Sequence, residues 1–196
     1  MLYTRKGDNG TTKTFGCDQR ISKSSAIAEA LGSLDEINSF LGLIKIKSEN
    51  IKFKLPNNEL KVSETIDNIQ QDLFIIQAEL AGAEKTISVE KVKQLEEIID
   101  GIEKILPPIK TFFVSGGVEL ATLSDVARTI ARRAERRVIA VIEESKTKIS
   151  KDPEGKSTSY GAGTMAYLNR LSSVLYAFAR AFNHFANIKE EKPKYK

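Results

Sequence analysis

The chain has 196 residues, 41% hydrophobic and 29% charged, which is enough apolar material for one core and excludes wholesale disorder. No apolar run approaches the roughly 18 residues that cross a bilayer, and the opening MLYTRKGDNG lacks the apolar stretch of a signal peptide. The net charge of +4 lies wholly in Arg128 to Arg137, five arginines and one glutamate, so a diffuse nucleic-acid or membrane surface gives way to a compact polyanion such as a triphosphate.

The first feature in chain order is Thr4-Arg5-Lys6-Gly7-Asp8-Asn9-Gly10-Thr11-Thr12, placed before any helical pattern. Glycines let backbone amides approach a phosphate and threonine hydroxyls donate to it, although Asp-Asn-Gly also makes an ordinary turn. It is not a Walker loop, since GxxxxGK[ST] occurs nowhere in the chain. Cys17 is the single cysteine, so no internal disulfide forms and a cytoplasmic setting is expected. A first helix is read from Ile27, Leu31, Leu34, Ile37, Leu41 and Ile44, stepping by three or four. Asp35 and Glu36 interrupt it, either as surface acids or as partners for arginines elsewhere.

After a polar stretch with Pro56, the residues Ile66, Ile69, Leu73, Ile76 and Leu80 alternate three and four, as in a bundle seam. Ser88 can cap a third helix with Glu90 in its first turn; Val92, Leu95, Ile99, Ile102 and Leu106 follow until Pro107 and Pro108 stop it. The loop Ile109 to Gly117 is apolar and then turns through two glycines, which suggests burial or a ligand because ordinary loops run over the surface.

The fourth helix runs from about Glu119 into the 140s. Val126, Ile130, Ala134, Val138 and Val141 form one stripe, while Arg128, Arg132, Glu135 and Arg136 share about 100° of another arc. That second stripe is a solvated charged face or an anion site. A mobile loop is expected from Ser145 to Gly163. The fifth helix carries Leu168, Leu171, Leu175, Phe178, Phe182 and Phe185, with Asn169 placed to read an adenine or to bond another helix. His184, the only histidine, reads as an ordinary side chain, and no protein metal site is expected; a ferritin-like di-iron centre needs two Glu-x-x-His pairs. The expected fold is all-α, an up-and-down bundle of about five helices in one domain over 1–196, ordered over about 3–188, with a charged tail 189–196 that frays.

These pieces in this order resemble the PduO-type ATP:cob(I)alamin adenosyltransferases. YTRKGDNGTT is similar to that family's YTRTGDxGTT, AEALGSLDEINSFLG to EAxGxxDELNSxLG, and IQQDLFIIQAELA to IQxDLFxLGAELA. FFVSGG stands where the family has FILPGG, ARTIARRAERRV resembles ARxxxRRAERxV, and YLNRLSSVLYAFAR resembles YLNRLSDxLFxxAR. The matches run from Tyr3 to about Arg180. Ser124-Asp125 departs from a common Leu-His, Lys6 and Ser115 from a threonine and a proline, and FGCDQRISK is one residue longer than FGGxRVSK.

The resemblance implies transfer of the 5′-deoxyadenosyl group of ATP to cob(I)alamin or a related corrinoid, with Mg²⁺ accompanying the triphosphate. It implies that Thr4, Arg5, Lys6, Gly7, Asp8, Gly10, Thr12 and Lys23 wrap the triphosphate, and that Arg132, Glu135, Arg136 and Asn169 bind ATP. By the same resemblance Arg128 and Asp35 pair across neighbouring subunits of a homotrimer with ATP between subunits. Phe112 is implied to cover the lower face of the corrin, leaving four-coordinate cobalt(II) that is easier to reduce. A reductase and an adenosylcobalamin-dependent acceptor enzyme are the implied partners, with neither nucleic acid nor membrane. Two non-enzyme alternatives are a nucleic-acid-binding bundle and an ATP-binding sensor or cofactor-delivery protein without turnover.

Overall fold

Five helices form where the three-four spacing places them: α1 (Ala26–Lys47), α2 (Val62–Leu80), α3 (Val89–Glu103), α4 (Glu119–Lys151) and α5 (Ala162–Phe185). The computed structural model describes residues 3–14, 19–151 and 161–195, and only the backbone of 146–151. The strands are short. β1 (Thr11–Thr12) pairs antiparallel with β2 (Ile21–Ser22), and β3 (Lys52–Lys54) with β4 (Glu59–Lys61). The all-α bundle is therefore present.

Polar contacts fix the helix directions. On α1 and α4, Lys47 pairs with Glu119 and Glu29 with Arg137, so these helices run antiparallel. Asn38–Gln70 and Lys45–Asp67 do the same for α1 and α2, as Glu135–Asn169 does with Arg128–Tyr176 for α4 and α5. Helix α4 lies between α1 and α5, α2 leans on α1, and α3 lies along α5. The core runs between them, with Leu34, Ile37, Leu41, Ile66, Leu73, Ile76, Leu171 and Phe178 fully enclosed. Burial on this scale contributes about 1.5–3 kcal/mol for each large apolar side chain.

Two acids of α2 hold the start of α5. Glu79 is buried and accepts from the Gly161 amide at 2.7 Å and from the Thr164 hydroxyl, so a carboxylate sits at a helix N-terminus, where charge and free amides favour it. Asp72, also buried, accepts from the Tyr167 hydroxyl at 2.9 Å and pairs with Lys91. Burial, and then the Asp72 charge beside it, push the Tyr167 hydroxyl well above the ordinary phenol range.

Several expectations need correction. The stretch around Pro56 is a hairpin whose Phe53 is 1% exposed and touches Phe178, Phe182 and Phe185; strands of three residues are too short for a period-two signal. Phe185 is half in solvent and stacks on Phe53 rather than entering the core. Ser88 occupies the N-cap position of α3 without bonding the helix backbone. The Glu90 backbone amide, and then the nearby Ser88 hydroxyl, hold the Glu90 carboxyl below its ordinary range. The loop expected from Ser145 begins later, since α4 continues to Lys151; residues 152–160 lie outside the described residues.

The charged tail does not fray throughout. Helix α5 closes at Ala186, and Asn187, with φ 56°, turns the chain back in the left-handed conformation that asparagine tolerates. The tail then meets the segment between α3 and α4: Val114 N–H donates to the Glu191 carbonyl at 2.8 Å.

Candidate active site

Backbone hydrogen bonds organise the N-terminal loop. Two turns close it, Asp8 N–H to the Arg5 carbonyl at 3.3 Å and Gly10 N–H to the Gly7 carbonyl at 3.1 Å. Arg5 takes φ 57°, a left-handed conformation that a non-glycine residue adopts at a cost, and its guanidinium lies 5.4 Å from the Tyr3 ring centre. Lys23 N–H donates to the Gly10 carbonyl at 2.9 Å, and the Lys23 ammonium lies 3.0 Å from where a side chain on Gly7 would begin. Thr4, Arg5, Lys6, Asp8, Gly10 and Lys23 are exposed, while Gly7 and Thr12 are half-buried. The expected loop residues are thus gathered with Lys23 beside them. The extra residue between Phe15 and Lys23 cannot be placed within this loop, since 15–18, including Cys17, lie outside the described residues.

Arg20 belongs with this group, although the sequence reading assigned it no role. Its Nε donates to the Thr11 hydroxyl at 2.6 Å, and its Nη2 donates to the carbonyls of Thr11 at 2.7 Å and of Lys6. One guanidinium therefore clasps both sides of the loop. The available signal was an arginine three residues before a lysine in RISK, which spacing alone does not join to Thr11.

The arginine stripe faces the other way. Arg132 and Arg136 are exposed and make no ion pair among the described residues. Glu135 accepts from the Asn169 amide at 3.0 Å, and the Asn169 oxygen accepts from Arg170 at 2.8 Å, so Asn169 is held by both helices. Arg128 pairs with Asp125 of its own helix at 3.1 Å and lies over the Tyr176 ring. Asp35 is exposed on α1 and does not meet Arg128 within the chain. Glu36 is the acid that an arginine reaches, and that arginine is Arg133, on the α1 side of α4.

Between α3, α5 and the α3–α4 segment lies a cavity of about 680 Å³ whose wall includes Phe112, Asp125, Arg128, Arg132, Tyr176 and Arg180. Because α3 and α4 both neighbour α5, their connection must cross the end of α5, and polar groups there grip it. Arg180, 6% exposed, donates to the Pro107 carbonyl at 3.1 Å, pairs with Glu190 at 3.1 Å and lies over the Phe113 ring. Asn183 donates to the Gly116 carbonyl at 2.9 Å and accepts from Val118 N–H at 3.0 Å. Gly117 has φ +106°, and a Cβ there would fall 2.0 Å from the Asn183 oxygen, so only glycine permits this grip. Between these anchors Phe112 is 78% exposed, a ring held out at the cavity rather than packed behind it.

The structure thus joins Phe112, Arg128 and Arg132 at one cavity, gathers the N-terminal loop with Lys23 elsewhere, and leaves Asp35 apart from Arg128. The loop precedes α1 in the chain, and the stripe lies toward α5, where Glu135 meets Asn169 and Arg128 meets Tyr176.

Residues 2–182 match the family described as cobalamin adenosyltransferase. The chain is 38% identical over 193 residues to the corrinoid adenosyltransferase PduO of Citrobacter freundii, covering 95% of this chain and 51% of that protein. A corrinoid adenosyltransferase of Bacillus subtilis is 36% identical, with 93% of this chain and 86% of that protein covered. The chain spans about half the length of the PduO relatives it matches. Among solved structures, an alanine variant of a PduO-type ATP:corrinoid adenosyltransferase from Lactobacillus reuteri, complexed with cobalamin and ATP, superposes with a TM-score of 0.79 at 28% identity, covering 100% of each chain. A lysine variant from the same organism, complexed with ATP, gives 0.75 at 27% identity, covering 98% of this chain and 100% of that one.

Proposed function

The chain belongs to the cobalamin adenosyltransferase family, and from that membership we propose that it transfers the 5′-deoxyadenosyl group of ATP to the cobalt of a corrinoid. The observation that carries the reading is the cavity where an exposed aromatic on an apolar segment meets Arg128 and Arg132. An apolar wall suits a corrin face, and guanidiniums suit a triphosphate.

The cobalt(I) electron pair forms the Co–C5′ bond as the C5′–O bond breaks, and triphosphate departs with the C5′–O bonding pair, so no protein base is required. What the protein contributes is alignment and stabilisation of the negative charge that grows on the leaving group. Arg132 and Arg136, free of ion pairs among the described residues, are suited to that charge. Glu135 and Asn169 form a hydrogen-bonded platform beside them for the nucleoside. The N-terminal loop and Lys23 supply amides, hydroxyls and an ammonium. No hydrogen bond or ion pair joins them to the stripe among the described residues, which supports a site completed between subunits, and a homotrimer is the assembly proposed.

Mg²⁺ is proposed to arrive with ATP. No group of three or more His, Cys, Asp or Glu side chains converges among the described residues, so its ligands would be mainly phosphate oxygens and water. Phe112 is proposed to exclude the lower axial ligand of cobalt, which favours reduction of cobalt(II) by an external reductase. Incubating the chain with ATP and chemically prepared cob(I)alamin, and following the spectrum, tests the proposal. Adenosylcobalamin should accumulate. ATP binding without turnover would point to a sensor or a delivery protein.

A further inference from the structure

We propose that Asp125 is a positioning residue for the transfer, holding Arg128 at the cavity wall from within its own chain; this rests on the function proposed above. Asp125 and Arg128 stand one turn apart on α4, and the Arg128 Nε donates to Asp125 Oδ1 at 3.1 Å. Pairs at this spacing on an open helix surface contribute little. This one is sheltered, with side chains 15% and 28% exposed, and the guanidinium carbon lies 6.0 Å from the centre of the Tyr176 ring. Arg128 is thus fixed from two directions, by a carboxylate along its helix and by an aromatic face on α5.

Asp125, Arg128, Arg132 and Tyr176 all line the cavity that Phe112 enters. Beside Tyr176 stands a second ion pair, Arg180 with Glu190, so of the arginines that α4 and α5 turn to the cavity, Arg132 alone has no ion pair among the described residues. The Nε of Arg128 is taken, while its two Nη atoms make no hydrogen bond among the described residues. Those are the donors left for an acid of a neighbouring subunit or for an incoming anion, and Asp125 determines where they stand. It also removes part of the repulsion between Arg128 and Arg132, four residues apart on one face.

The test compares wild type with Asp125→Ala, Asp125→Asn, Arg128→Ala and the double variant Asp125→Ala/Arg128→Ala. Each is assayed by steady-state kinetics with ATP and prepared cob(I)alamin, with a melting curve alongside. Asp125→Ala should lower kcat about tenfold or more, the loss expected for one charge-assisted hydrogen bond, with KM for ATP and the melting temperature nearly unchanged. Asp125→Asn, whose amide oxygen still accepts the Nε hydrogen, should recover most of kcat. The double variant should be no slower than Arg128→Ala. Wild-type kinetics in Asp125→Ala, or losses that multiply in the double variant, would overturn the inference. So would equal losses in the Ala and Asn variants together with a fall in melting temperature. Wild type that forms no adenosylcobalamin overturns the proposed function itself, a result read before any variant.

Discussion

Arg132 leaves α4 away from the buried stripe of Ile130, Ala134 and Val138, and reaches the cavity without an ion pair among the described residues. Its truncation should therefore leave no cavity in the core. Arg132→Ala is expected to weaken ATP binding or turnover by about ten- to a hundredfold, equivalent to about 1.5–3 kcal/mol, with the melting temperature unchanged. Calorimetric titration with ATP beside a thermal melt checks this; unaltered affinity and kinetics would mean a merely solvated arginine. Phe112 is separable in another way. A buried phenylalanine costs about 3–5 kcal/mol to truncate, but this ring is 78% exposed and Phe112→Ala should cost little stability. Activity should collapse when the substrate is cob(II)alamin with a weak reductant, and survive in larger part with prepared cob(I)alamin. Equal losses in both assays would defeat an axial-ligand role. At this scale helical periodicity singled out Arg132, because an exposed stripe and a core stripe separate at 100° per residue. It could not find Arg20, whose partners lie fourteen and nine residues earlier in a non-helical loop.

The element that most exceeds its sequence is the segment from Pro107 to Gly117. Its apolar character and glycines are legible and suggest burial or a ligand, and the structure leaves Ile109, Phe112 and Val114 exposed. What grips it is not legible: Arg180 and Asn183 from α5, and Glu190 and Glu191 from a tail that composition marks as frayed. Arg180 is the reason the tail is ordered, because a guanidinium so enclosed is rarely stable without a carboxylate. Glu190→Ala should therefore destabilise the fold by about 3 kcal/mol, measured by urea unfolding. Glu190→Gln should cost less, since an amide oxygen still accepts from Arg180. A change below about 0.5 kcal/mol would mean that the tail is detached in solution.

At the scale of the whole molecule, no hydrogen bond or ion pair joins the N-terminal loop to the arginine stripe, or Asp35 to Arg128, among the described residues. If ATP needs both sets of groups, a second copy must supply one of them. Sedimentation at micromolar concentration is expected to give a trimer, and fully active monomer would remove the inter-subunit site. The face that α1 and α4 turn outward carries exposed Leu43, Ile46 and Val126 among charged residues, the mixed apolar and polar surface that subunit contacts use.

The sequence by itself determined the five helices, the family and the buried faces apart from Val126 and Phe185, which are exposed, because helical periodicity and the phosphate-loop and arginine motifs are local patterns that survive without knowledge of the neighbours. Only the tertiary structure decided which distant charges compensate which: Glu36 with Arg133, Arg180 with Glu190, and two acids of α2 at the head of α5. The pairing of side chains far apart in the chain depends on helix order and on what burial leaves unsolvated. Both are fixed when the helices pack, since the cost of an unpaired charge appears only once water has been excluded from it.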